Sequence, residues 1–144
     1  MATRILLVED EPILVSLYAL MLARDGYAVT TAMDAQKAEE RVVLERPHMV
    51  LLDLFIPASD HAGMSQQDLH EPVGFRILRL VKGTPSLQET RVVVLSNLDS
   101  DEHKKTAAKL GADGYIVKAN IDPHDLGARI EDVLKHQHAS KATD

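Results

Sequence analysis

Short apolar runs recur along the chain, each closed by a charged or hydroxyl residue and followed by a stretch of helical period. Arg4-Ile-Leu-Leu-Val8 is the first run, and Glu9-Asp10-Glu11 follows at once. Pro12 suits the first turn of a helix, with Asp10 or Glu11 expected as its cap. Apolar residues at 14, 17, 18, 21 and 22 then form one stripe that ends at Gly26. Tyr27-Ala-Val-Thr-Thr31 reads as a second strand, and Asp34 as the cap of a helix with apolar positions 35, 38 and 42. Pro47 closes that helix. The next run, His48-Met-Val-Leu-Leu-Asp-Leu-Phe-Ile-Pro57, is bounded by prolines and predicts a buried strand that gives way to a loop at Asp53.

Residues 58–72 break the rhythm with a polar stretch that has no clear period and is long for a connection in a compact domain. The helical stripe resumes from Val73, through Ile77, Leu78 and Val81, and stops at Gly83. Arg91-Val-Val-Val-Leu95 is the clearest strand and ends in Ser96-Asn97. Asp99 with Glu102 resembles a capping box for a helix running to Leu110. Tyr115-Ile-Val117 is a short strand ending at Lys118, and Asp122-Pro123 opens a last helix with apolar positions 126, 130, 133 and 134. A polar tail follows from His136. Strand and helix thus alternate about five times, which predicts an α/β fold with five parallel strands covered on both faces.

Composition narrows the picture. The 144 residues suffice for one domain with a real core, and 45% apolar with 26% charged content is a globular balance. A formal charge of −6 argues against generic binding to nucleic acid or an anionic membrane. Without cysteine there is no disulfide framework, thiol nucleophile or cysteine-based zinc site. No long apolar segment suggests a signal peptide or a membrane span, so a cytoplasmic protein is expected.

Parallel strands bring their carboxyl ends to one edge, where ligands of open α/β sheets bind. That edge would carry Glu9 and Asp10 from the first strand, Asp53 from the third, Ser96 from the fourth and Lys118 from the fifth. Taken singly, each has an ordinary reading: helix capping for the acidic run, a turn for the serine, a solvated charge for the lysine. Together they point to chemistry. Neighbouring carboxylates repel unless a cation offsets them, and oxygen ligands with room for water suit Mg²⁺ better than zinc. An ammonium and a hydroxyl at the same edge suit a phosphoryl group, with Asp53 as the nucleophile that forms an acyl phosphate.

Ile5-Leu-Leu-Val-Glu-Asp-Glu-Pro12, Leu51-Leu-Asp-Leu-Phe-Ile-Pro57, Val94-Leu-Ser96 and Gly111-Ala-Asp-Gly-Tyr-Ile-Val-Lys118 resemble the receiver domain of two-component response regulators, the CheY-like family. The resemblance covers roughly residues 4–135 and assigns residues 1–137 to a receiver and 138–144 to a flexible tail. It implies a flavodoxin-like, doubly wound sheet of five parallel strands with five helices, here with an enlarged loop after the third strand. It implies that Asp53 accepts phosphate from a histidine kinase or a histidine phosphotransfer protein. Glu9, Asp10, Asp53 and the backbone carbonyl of Phe55 would hold Mg²⁺. Ser96 would be the switch hydroxyl, Tyr115 the switch aromatic and Lys118 the phosphate-pairing lysine. Such a protein catalyses its own phosphoryl transfer and dephosphorylation without being a conventional enzyme. Its output would pass to a downstream protein target, with no direct contact to nucleic acid or membrane. A phosphorylation-dependent homodimer is an option the family leaves open.

Four departures from the family pattern stand out. Asn97 occupies a usually small position, and Ala119 stands where proline usually follows the lysine in a cis peptide; a cis bond before alanine would cost about 3 kcal/mol. Asp113-Gly114 replaces a pair of acids, which removes one acidic partner for dimer contacts, although Arg129 lies where the other partner would be. The loop over 58–72 is the fourth, and its Asp60, His61, Met64, Asp68, His70 and Glu71 suggest a docking element, a cover or a tolerated insertion before a metal site. The alternative function is a pseudo-receiver that docks partners without phosphorylation. A phosphatase or flavin carrier on the same fold is disfavoured: Phe55 stands where an Asp-based phosphatase has its second Asp, and there is no Gly-rich phosphate loop. Phe55 and Leu98 would flank the phosphoryl group and cannot position an attacking water, so slow self-dephosphorylation is expected.

Overall fold

A computed structural model describes residues 2–59 and 71–143, with side chains through residue 135. Five parallel strands form one sheet in the order β2-β1-β3-β4-β5. They are β1 (Arg4–Val8), β2 (Ala28–Ala32), β3 (Met49–Leu52), β4 (Arg91–Ser96) and β5 (Gly114–Val117). Among the described residues, five α-helices connect them: α1 (Pro12–Arg24), α2 (Ala35–Glu45), α3 (Phe75–Gly83), α4 (Asp101–Lys109) and α5 (Leu126–Thr143). The expected doubly wound architecture is therefore present.

The strands are apolar on both faces because both faces are covered. Side chains alternate, so Leu6, Val8, Val50, Leu52, Val92 and Val94 pack toward α2, α3 and α4, against Val42, Ile77, Leu78, Val81 and Ala107. Ile5, Leu7, Met49, Leu51, Val93 and Leu95 face the other way, against Tyr18 and Leu22 of α1 and Leu126 and Ile130 of α5. Leu54 and Ile56 lie beyond the end of β3 and are still buried, which holds the chain leaving the strand close to the core.

Helix ends differ from the sequence expectation in three places. Pro12 does open α1, but Glu11 in the cap position makes no side-chain cap; its N–H instead donates to Glu9 Oε1 at 3.3 Å. Ser100, not Asp99, caps α4 by accepting the His103 N–H, while Asp99 pairs with Lys104. Ser is one residue nearer the first helical turn, and its short side chain reaches back to the third amide. The stripe expected from Val73 becomes helix only at Phe75. Asp34 caps α2 as expected, taking the Lys37 N–H at 2.8 Å. The next free amides of α2 donate to the chain leaving β3: Ala35 N to Pro57 O and Gln36 N to Ala58 O, both 2.9 Å.

The enlarged loop has residues 60–70 outside the described ones, so the reading of Asp60, His61, Met64, Asp68 and His70 lies there too. Its returning stem is well fixed. Glu71 pairs with Arg79, and Arg76 reaches Glu39 of α2 at 2.6 Å. Gly74 donates to Leu54 O at 2.9 Å, and a Cβ there would stand 2.6 Å from both Asp53 O and Leu54 Cα. Only glycine permits that approach, and it binds the stem to the backbone just after Asp53. Backbone helix continues to Thr143, through the stretch where the sequence suggests a tail.

Candidate phosphoryl-accepting site

The carboxyl ends of the strands gather the residues singled out in the sequence. Glu9 follows β1 and is buried; Asp10 beside it is exposed. Asp53 follows β3, its N–H donating to Val8 O at 3.0 Å, which extends the sheet one residue past Leu52. One carboxylate oxygen from each of Glu9, Asp10 and Asp53 lies within 4.8 Å of the others. Lys118 follows β5 and places its ammonium 2.5 Å from Glu9 Oε2 and 2.9 Å from Asp53 Oδ2. The three side chains of this bridge are 6%, 2% and 9% exposed. The remaining Asp53 oxygen accepts the Phe55 N–H at 3.0 Å.

Among the described residues, one ammonium faces three carboxylates, which leaves the pocket with excess negative charge. Burial pushes the Glu9 carboxyl above its ordinary value; the Lys118 hydrogen bond opposes this and the Asp53 charge reinforces it. Asp10, though exposed as a residue, is raised as well, first by partial desolvation of its carboxyl, with the Asp53 charge adding to it. For Lys118, burial is the largest influence and works against the charge, but the bonds to Glu9 and Asp53 outweigh it and raise the ammonium. Such a pocket favours an added cation. The all-oxygen donor set of Glu9, Asp10 and Asp53, open on the Asp10 side, fits Mg²⁺.

Ser96 ends β4 and is fully buried, its Oγ accepting the Leu98 N–H at 3.2 Å. The Tyr115 hydroxyl donates to Leu98 O at 2.8 Å, so Leu98 links it to Ser96. Burial raises the Tyr115 hydroxyl above its ordinary value, with the Ser96 hydroxyl and the Lys104 charge opposing. Serine, Leu98 and tyrosine therefore form one connected unit beside Asp53. Asn97 is exposed. After Lys118 the chain forms a 3-10 turn, Lys118–Asn120, with Ala119 joined by a trans peptide.

Two groups near the site escaped the sequence reading. Gly74 is one; a lone glycine after a polar loop gave no hint of which backbone it would meet. His103 is the other, its ring placed between Phe55 and Phe75. Asp113, read as one half of a missing acidic pair, is engaged internally: its Oδ2 lies 2.8 Å from Lys82 Nζ and accepts the Val92 N–H at 2.8 Å.

A doubly wound sheet with an acidic pocket, a hydroxyl and a lysine at its strand ends defines the receiver class of signalling module. The chain belongs to the response regulator receiver domain family, whose sequence pattern matches residues 5–131. It is 30% identical over 135 residues to the alkaline phosphatase synthesis transcriptional regulatory protein PhoP of Bacillus subtilis (strain 168), covering 94% of this chain and 50% of PhoP. It is also 30% identical over 128 residues to a gliding motility regulatory protein of Myxococcus xanthus, covering 89% of this chain and 15% of that protein. The chain thus spans half or less of the length of these curated relatives. Among solved structures, the BeF3-activated N-terminal receiver domain of Klebsiella pneumoniae RstA superposes with a TM-score of 0.73 at 30% identity, covering 91% of this chain and 97% of that one. A CheY-like receiver from Methanospirillum hungatei JF-1 shares the fold with a TM-score of 0.77 at 24% identity, covering 97% and 99%. Among the described residues, no helix is long and apolar enough to cross a membrane.

Proposed function

We propose that the chain is a phosphorylation-dependent switch in which Asp53 takes a phosphoryl group from the phosphohistidine of a histidine kinase or histidine phosphotransfer protein. The observation that carries this reading is the Asp53 carboxylate at the end of a buried strand, bridged to Lys118 at 2.9 Å and grouped with Glu9 and Asp10. In the transfer, an Asp53 oxygen bonds to phosphorus as the bond to the donor imidazole breaks, leaving its electron pair on that nitrogen. Lys118 then pairs with one phosphoryl oxygen and Ser96 donates to another. Mg²⁺, held by Glu9, Asp10, Asp53 and the Phe55 carbonyl, would supply electrophilic stabilisation of the phosphoryl oxygens.

Output follows from the Ser96–Leu98–Tyr115 unit. A phosphoryl oxygen that draws the Ser96 hydroxyl toward Asp53 changes what Tyr115 meets, and so changes the surface formed with α4. Partners are proteins in this reading, neither nucleic acid nor membrane. Ile13, 79% exposed, and Leu20 lie seven residues apart on α1, an apolar stripe beginning beside Asp10 and suited to a helix of the phosphodonor protein. A phosphorylation-dependent homodimer remains part of the proposal through Arg129, exposed on α5. A cytoplasmic setting fits such partners.

Incubation with a small-molecule phosphodonor and Mg²⁺, followed by intact-mass and peptide-mass measurement, tests the proposal. Phosphate on Asp53, absent in Asp53→Asn and strongly reduced without Mg²⁺, is the expected result. An unmodified chain would favour the alternative, a docking module that works without phosphorylation.

A further inference from the structure

His103 occupies an energetically awkward position close to Asp53. It stands in the first turn of α4, its backbone tied to Ser100 Oγ at 3.3 Å. Its ring centroid is 5.9 Å from that of Phe55 with the planes at 74°, and 6.1 Å from that of Phe75 at 51°. Edge-on and tilted contacts of this kind are favourable between aromatic rings. The ring nitrogen Nδ1, however, is buried and has no hydrogen-bond partner among the described residues. An unsatisfied buried nitrogen is destabilising, so an apolar ring would fill the same space with greater stability. The two neighbours differ. Phe75 is core, whereas Phe55 is 51% exposed and its N–H is bound to Asp53 Oδ1. Fixing the Phe55 side chain therefore fixes the residue hydrogen-bonded to the phosphoacceptor.

We propose that His103 is a positioning residue that holds the Phe55 ring beside the phosphoryl group and so prolongs the acyl phosphate on Asp53. The inference rests on the reading of Asp53 as phosphoacceptor. Loss of the phosphoryl group is hydrolysis. Water's oxygen bonds to phosphorus, the bond from phosphorus to the Asp53 oxygen breaks, and its electron pair stays on the carboxylate. Both protons of the water leave on the phosphate. An apolar ring held beside that path offers no hydrogen bond to orient the water. A ring released from His103 leaves the approach open.

The test loads the full chain with a small-molecule phosphodonor and Mg²⁺, removes the donor, and follows loss of phosphate by mass alongside the melting temperature. His103→Ala is expected to shorten the lifetime about threefold to tenfold, the effect of one lost aromatic contact. In a Phe55→Ala background the same substitution should change nothing further. His103→Phe keeps both ring contacts and removes the orphan nitrogen, so it should raise the melting temperature and retain the parental lifetime. An unchanged lifetime in a folded His103→Ala chain, an equal effect in the Phe55→Ala background, or a shortened lifetime in His103→Phe would each overturn the proposal. Failure of the unsubstituted chain to label would instead remove the phosphoacceptor reading, and this inference with it.

Discussion

At the edge where the strands begin, each charge named here meets a partner of the fold. Arg4 gives its guanidinium to the carbonyls of Glu45 and Arg46 at the end of α2, and its N–H to His48 Nδ1. Thr90 closes on Pro47 O at 2.8 Å, and Asp113 is shared between Lys82 and the Val92 N–H. At the edge where the strands end, Glu9, Asp10 and Asp53 crowd around a single ammonium, and burial raises two of the three acids. The first edge is built to hold itself together. The second is left unbalanced, with an excess of negative charge that an added cation would offset.

Substitutions at the two edges should therefore separate activity from stability. Lys118→Met is expected to slow labelling of Asp53 by about a hundredfold, the scale of losing one preorganised donor to a reacting oxyanion; the measurement is the initial rate of mass gain. Asp113→Ala at the opposite edge should do the reverse. It leaves the Val92 N–H without its side-chain acceptor and Lys82 with only the Thr90 carbonyl, and should cost about 2 kcal/mol in denaturant unfolding, with the labelling rate unchanged. If Asp113→Ala slowed labelling as much as Lys118→Met, the separation of edges would be wrong.

A smaller effect tests the cap on the active edge. Ser100→Ala should destabilise the chain by about 1 kcal/mol, while Asp99→Ala should stay within about 0.5 kcal/mol. The smallest concerns charge. Because the folded-state pKa of Glu9 is raised above its unfolded value, the folded chain binds the extra proton, and stability is lost as pH rises through the folded value. Glu9→Gln removes that loss. Its melting temperature without Mg²⁺ should match the parent below about pH 4.5 and exceed it by about 1–3 °C near neutrality. Saturating Mg²⁺ should reverse the order, since the glutamine is a poorer ligand. Thermal melts across pH, with and without the ion, decide it.

Much of this was legible in the sequence because burial and chemistry change abruptly at strand ends. An apolar run that stops at a charged residue announces both the strand and the edge, which is why Glu9, Asp53, Ser96 and Lys118 could be named together. Features set by tertiary approach were not legible. Lys118 could be read as a partner for phosphate, but nothing local indicated that it already bridges Glu9 and Asp53. The pairing of Asp113 with Lys82 joins residues 31 apart, and the Phe55–His103–Phe75 stack joins three separate elements. Asp99 and Ser100 are both acceptable caps by residue type.

The stems of the enlarged loop have a practical consequence. Pro57 and Ala58 are fastened to the first amides of α2, Glu71 to Arg79, and Gly74 to Leu54, so both ends of the loop are anchored before the intervening chain begins. The spacing between the ends is then set by the scaffold rather than by what is threaded between them. Doubling the length of such a connection costs only about 0.6 kcal/mol in closure entropy. A peptide tag or reporter spliced between these stems should therefore leave the geometry of the Asp53 carboxylate unchanged, because the anchors that fix the chain on either side stay in place.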